Sequence, residues 1–481
     1  MGKMPVKNNI ERKPALQDRS ATHFRGLLRL ITIACALLIL IGLLRRPQRE
    51  ATVSTENPRE RMGATEPSSV SRPDRPRWVS HRSRPTAPPT PEQIVAGKVS
   101  EFVRSRRDIV RGIARRTQKE IPAEIERFFD ALESGVWEEI EAQWKALSTR
   151  SGQYEGSTHS PELDPFWAAV LDAYGVAEQA HIWPAQKLLD YGNAILDSLR
   201  PGMVYVGGTD NGRWVPELLN ETSGLDPHII VTQNAFADSR YIEYMQTLYG
   251  ERFSPLTSED SQRAFQEYVT DAQRRLEHDQ QFPNEPKQVR PGEDIRMLDG
   301  KVQVSGQVAV MTINEKLLQT LMQKNPDLAF AMQESFPMRG TYADALPLGP
   351  LMELRALDGQ NGFTPERAAQ SLDYWRSTAQ QLLSDPEANG SPAALKSYSH
   401  DAVSAANLLV AHNFTAEAEE GYRLGMQFWP ESAESVAGLA NLLANTGRAD
   451  ESQQLIDGFE RQFPGKRKDL EQARTRGSII R

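Results

Sequence analysis

One cysteine, Cys35, occurs in 481 residues, so neither a disulfide framework nor a cysteine-based metal site can assemble within the chain. The eight histidines include no pair at i, i+4 around a glutamate, and Gly-x-Ser-x-Gly elbows and Walker loops are missing. Zinc-hydrolase and serine-hydrolase chemistry therefore has no local support, and no cofactor or metal is indicated. Gly207-Gly208-Thr209-Asp210-Asn211-Gly212 has the wrong glycine spacing for a dinucleotide fingerprint. Basic clusters are scarce in most of the chain: residues 93–481 carry 39 Lys and Arg against 56 Asp and Glu, a net of −17. Such a body repels a phosphate backbone, which argues against nucleic acid as a partner.

Residues 1–92 have the opposite balance, 17 Lys and Arg against 8 Asp and Glu. Within this basic arm, residues 26–44 are apolar or small apart from Arg29 and Thr32. Nineteen helical residues reach about 29 Å, close to the thickness of a hydrocarbon core. Arg45-Arg46-Pro47 follows, without a small-x-small cleavage site, so an uncleaved single transmembrane helix is expected rather than a secretory signal. Five basic residues stand within about 18 positions on each side, so the charge rule gives a tie. The short basic tail 1–25 is the part more easily kept in the cytoplasm, which puts the body in the periplasm or outside the cell. Residues 45–91 are rich in Pro, Arg and Ser and read as a disordered linker.

The body opens with a helical segment at 92–150. Val99, Phe102, Val103, Ile109, Val110 and Ile113 recur at helical spacing, and a hairpin follows, with a break at Ser134-Gly135. An α/β domain is expected over 160–357: a helix from Pro184 to Leu199, a strand Met203–Val206, a helix Arg213–Glu221, a strand His228–Thr232 and a helix Ser239–Tyr249. Alternation at this spacing predicts a Rossmann-like parallel sheet. A charged helix near 258–280 follows. Then Ile295–Leu298 and Lys301–Val304 flank Asp299-Gly300, a hairpin signal. Asn314 is placed to cap a helix over 315–324, and Leu328–Met332 and Leu351–Arg355 are further strands.

Residues 364–481 repeat. Ala406-Asn407-Leu408-Leu409 recurs as Ala440-Asn441-Leu442-Leu443, Glu417 as Glu451, and Trp429-Pro430 as Phe463-Pro464, each 34 residues on. That is the tetratricopeptide period. Ala406, Leu409, Ala440 and Leu443 are expected to pack paired helices. Asn413 and Gly447 lie at the turns, and Pro430 and Pro464 end the second helices. The fold class expected is thus α/β plus all-α: a transmembrane helix, a parallel-sheet unit and carboxyl-terminal helical repeats.

The stretch 188–249 carries Asp190-Tyr191-Gly192, Leu199-Arg200-Pro201, Gly208-Thr209-Asp210-Asn211-Gly212, Glu217-Leu218-Leu219 and Asp226-Pro227-His228-Ile229-Ile230-Val231. In this order it resembles the soluble carboxyl-terminal region of bacterial multi-pass proteins related to protein O-mannosyltransferases, which often carry tetratricopeptide repeats beyond it. The body also looks like uncharacterised anchored tetratricopeptide proteins of bacteria. The resemblance implies an α/β fold and an extracytoplasmic location. It implies transferase chemistry less, because the multi-pass segment is absent.

A ligand crevice is expected at the carboxyl end of the first strand. Gly208, Thr209, Asp210 and Asn211 form its turn, and Asn234 and Arg240 follow the second strand. Asp210 has two readings, an N-terminal helix cap or a contact to a polar ligand. Two functions follow. The first is an anchored envelope protein that binds a protein partner through its repeats. The alternative is a carbohydrate- or glycoconjugate-active protein with a glycan in the crevice, which a carboxyl of raised pKa there would favour.

Overall fold

The computed structural model describes residues 88–478, apart from 155–156, 209, 291, 299–300, 337 and 355–361. The apolar run 26–44 and the linker lie outside the described residues. Among the described residues no helix is long and apolar enough to cross a membrane.

Helices dominate. α1 (Pro91–Thr117) starts in a capping box between Thr90 and Gln93. α2 (Ala123–Ser134) and α3 (Trp137–Ser148) form a hairpin turned at Gly135, whose φ is +70°. α4 (Asp164–Ile182) is buried along most of its length. Then come α5 (Ala185–Leu196), β1 (Val204–Gly207), α6 (Asn211–Glu221), β2 (Ile229–Thr232), α7 (Ser239–Tyr249) and α8 (Ser258–Gln281). A ribbon of β3 (Asp294–Leu298) and β4 (Lys301–Ser305) leads into α9 (Gln307–Lys324). β5 (Phe330–Met332), β6 (Leu346–Leu348) and β7 (Leu351–Glu353) complete the strands.

The expected parallel sheet is corrected by the pairing. Five strands lie in the order β2-β1-β5-β7-β6. β1 is parallel to β2 and β5, with Tyr205 opposite Ile230 and Ala331, but β7 runs antiparallel to both β5 and β6. The cause is local: only Gly349-Pro350 separates β6 from β7, and a two-residue turn cannot make the crossover that parallel strands need. The result is a small mixed sheet in a mostly helical protein, not a Rossmann-like unit. Asn314 is also corrected. α9 begins at Gln307, so Asn314 lies inside it, fully buried, and caps nothing. Its amide has no hydrogen-bond partner among the described residues.

The sheet is covered on both faces, which is why its central strands are continuously apolar. Val204, Val206, Ile229, Val231, Phe330 and Met332 join the core with Phe128, Phe166, Tyr241 and Leu317. Tyr205, Ile230 and Ala331 point the other way, against Tyr191, Trp214 and Leu218 and against Trp375 of α10 (Pro365–Ser384). After α11 (Pro386–Asn389), the 34-residue period appears as two helical hairpins: α12 (Pro392–Ala411) with α13 (Thr415–Phe428), and α14 (Ala433–Asn445) with α15 (Ala449–Gln462). Ala406, Leu409, Ala440 and Leu443 are buried between them. Asn413 and Gly447 turn the hairpins at φ of +65° and +81°. Pro430 and Pro464 are exposed, so they stop helices rather than pack them. α16 (Arg467–Ser478) lies on α14.

Candidate functional site at the strand ends

All three parallel strands run into polar or glycine residues at their carboxyl ends: Gly208 after β1, Gln233-Asn234 after β2, and Gln333-Glu334-Ser335 after β5. Close approach dictates the glycines of the first loop. A Cβ on Gly212 would lie 1.9 Å from Gln333 Oε1, and one on Gly208 2.3 Å from Ser335 Oγ. Thr209, expected in this turn, lies outside the described residues. Asp210 has φ +51° and ψ −116°, a backbone region that residues with a side chain seldom occupy. It stands at the N-cap of α6, yet its side chain makes no capping hydrogen bond, so the capping reading is overturned.

Asp210 and Asn211 serve opposite sides of the loop. On one side, the half-buried Asp210 carboxyl is pushed up to about 7 by burial and by the negative Glu178 of α4, against the pull of Arg213. The phenol of Tyr154 is raised by burial, then by Glu178 and Asp210, while Arg240 opposes them. Tyr174 donates to Glu178 Oε1 at 2.9 Å and stacks on Trp144 at 3.9 Å, whose ring meets Tyr154 edge-on at 6.1 Å. Arg240 is held by a fork to Asp238 (3.0 and 3.2 Å) and a bond to the Ser151 carbonyl (3.1 Å). Asn234 Oδ1 lies 2.8 Å from the Thr232 hydroxyl, which also meets the Gly208 carbonyl at 3.0 Å.

On the other side, Asn211 Nδ2 donates to the Tyr191 hydroxyl at 3.0 Å, and that hydroxyl donates to Asp401 Oδ2 at 3.0 Å. Gln333 Nε2 donates to Asp401 Oδ1 at 2.8 Å and also meets Tyr191. Burial pushes the Asp401 carboxyl up to about 6, although the neighbouring His400 and these donors oppose it. His400 Nε2 faces the Glu334 carbonyl and Nδ1 faces Glu434 Oε2, both at 2.8 Å. Both partners only accept, so both ring nitrogens donate and the ring is an imidazolium. Burial works against that charge, but Glu434, Asp401 and the Glu334 carbonyl together outweigh it and the group rises to about 9.

Beyond His400 a cavity opens between the end of β5 and the repeats. Glu334 and Arg339 form its sheet-side wall, and His400, Asn407, Tyr422 and Asn441 its repeat-side wall. Glu334 accepts from the Tyr342 hydroxyl at 2.5 Å and from the Met338 amide at 3.3 Å. Asn407 Oδ1 accepts from the Tyr422 hydroxyl at 2.7 Å. The amide nitrogen of Asn441 is enclosed and has no hydrogen-bond partner among the described residues.

The sequence-predicted set is therefore split. Asp210 and Arg240 both act on the Tyr154 phenol, Asn234 braces the loop through Thr232, and Asn211 belongs to the Tyr191–Asp401 network. Tyr154, Glu178, Gln333, His400 and Asp401 were not singled out by sequence reasoning. The available signal was Asp172 and Glu178 inside the apolar run Phe166–Ile182, because a charge in such a run must find a partner. Among the described residues no three His, Cys, Asp or Glu side chains are grouped to hold a metal ion. No protein-family model, curated protein or solved structure matches the chain.

Proposed function

We propose that this chain is a binding module that takes a segment of a partner protein in the cavity between the end of β5 and the repeats. The supporting observation is that Asn407 and Asn441, one repeat apart, both line that cavity opposite Glu334 and Arg339. A repeat pair alone offers only a helical groove, and the sheet closes it into a pocket of two origins. A photo-crosslinking side chain at position 445, at the rim, captures the partner, whereas one at the exposed position 453 does not. Asn441→Trp fills the cavity and removes the crosslink. Equal capture from both positions, or capture that survives Asn441→Trp, overturns the reading.

A second reading is favoured by the Asp210 carboxyl at about 7 beside Glu178. A neutral carboxyl next to a carboxylate can serve as proton donor to a glycosidic oxygen, which is the carbohydrate- or glycoconjugate-active alternative. Asp210→Asn keeps a side chain that tolerates positive φ and loses the proton donor. Release of glycan by the wild-type chain and none by the variant supports this reading; no release by either removes it.

A further inference from the structure

We infer that the cavity between β5 and the repeats recognises a carboxylate, held between Arg339 of the sheet-side wall and the Asn441 amide of the second repeat. This rests on the reading of that cavity as the ligand site. The argument is one of hydrogen-bonding capacity. Of the acids in the wall, Glu334 already accepts from Tyr342 and the Met338 amide, and Glu434 is held by His400. The acceptor of Asn407 is taken by Tyr422. What the wall still offers is a donor, Asn441 Nδ2, enclosed and without a partner among the described residues. An enclosed donor with nothing to bind destabilises the fold, and an acceptor on a ligand removes that cost.

Charge selects the acceptor. Arg339 stands half-buried in the same wall, and burial lowers its affinity for its proton despite Tyr342, Glu334 and Glu315 nearby. A guanidinium in that state gains from a further anion, and its planar fork fits a carboxylate. Val403, Val410, Ala437 and Leu442 give the lining an apolar part beside its polar groups, so the carboxylate carries an aliphatic body. Either a free small acid or the carboxyl end of a peptide presents this chemistry. A ligand held this way ties the sheet to the second repeat.

Calorimetric titration of the full chain with N-acetyl-leucine and with N-acetyl-leucinamide tests this. The acid binds, and the amide binds at least about tenfold more weakly. A tetrapeptide ending in leucine separates the two sources: tighter binding than N-acetyl-leucine assigns a peptide end, and equal binding assigns a small acid. Arg339→Gln and Asn441→Asp each weaken the acid by about tenfold or more, while Arg339→Lys retains part of the affinity. Asn441→Ala, which only deletes the donor, keeps the result readable if Asn441→Asp does not fold. Equal binding of acid and amide, or no binding of either acid or tetrapeptide at millimolar concentration, overturns the carboxylate assignment. If Asn441→Trp still abolishes the crosslink in that case, the binding-module reading survives its ligand chemistry.

Discussion

Asp210 combines a backbone at positive φ with a carboxyl held near neutrality, and the two have one origin. Gly208 and Gly212 let the loop press on Ser335 and Gln333, and the bend leaves the Asp210 side chain off the amides it would cap and within the field of Glu178. The consequence for stability has a definite sign. The folded carboxyl keeps its proton up to about 7, whereas the free group releases it near 3.8. The contribution of the protonated group is therefore complete below about 4 and is lost as pH rises toward 7. Asp210→Asn should gain thermal stability over the wild type at pH 8 and lose that gain by pH 4. Parallel melting-temperature profiles for the two proteins across this range would show that Asp210 holds no proton in the folded state. His400 runs in the same sense in a higher window: its contribution is full below the ordinary value of 6.5 and is lost as pH rises past about 9.

At the level of elements, the loop after β1 is seated by absence of side-chain volume. Gly212→Ala pushes a methyl into Gln333 and displaces its contacts with Tyr205, Tyr191 and Asp401. A loss of about 1–3 kcal/mol is expected in urea unfolding; a variant as stable as the wild type would mean that Gln333 is not seated there. The repeats behave in the same way. Ala440 is 1% exposed in the core of the second hairpin, and Ala440→Trp overpacks it by about 1–3 kcal/mol. An unchanged melting temperature would place the paired helices elsewhere. Both sites were legible as small residues at a turn and at a repeated position. That Gly212 meets Gln333 was not, because 121 residues separate them and no local pattern links the two.

Across the whole molecule, one buried ion cluster and one continuous apolar face join the parts. Arg106 of α1 is fully buried and lies 3.0 Å from Glu217, 2.5 Å from Glu221 and 3.6 Å from Asp172, which also meets Arg213. Arg106→Met leaves these carboxylates without their central cation, and removing one side of a buried pair costs about 3–5 kcal/mol. A cost under 1 kcal/mol at neutral pH would mean that water reaches the cluster. The apolar face runs from Tyr205 and Ile230 through Trp375 to Tyr398 and Phe428, so the sheet and the first repeat share a core. Calorimetric unfolding of residues 88–478 is accordingly expected as one transition.

What the sequence determined by itself is what short range controls. The helix periodicity of 92–150, the β1–α6–β2 succession, the hairpin pairing of Ile295 with Val304 and the 34-residue offset all depend on residues within a few turns of one another. The antiparallel β7 edge, the mid-helix position of Asn314 and the partners of Asp210 were decided by tertiary structure. The strand-end residues show why. Glu178, Asp210, Gln333 and Asp401 come from four separate segments, and the raised carboxyls of Asp210 and Asp401 follow from how deeply packing buries them. Burial is a property of the assembled core, and no window of the chain contains it.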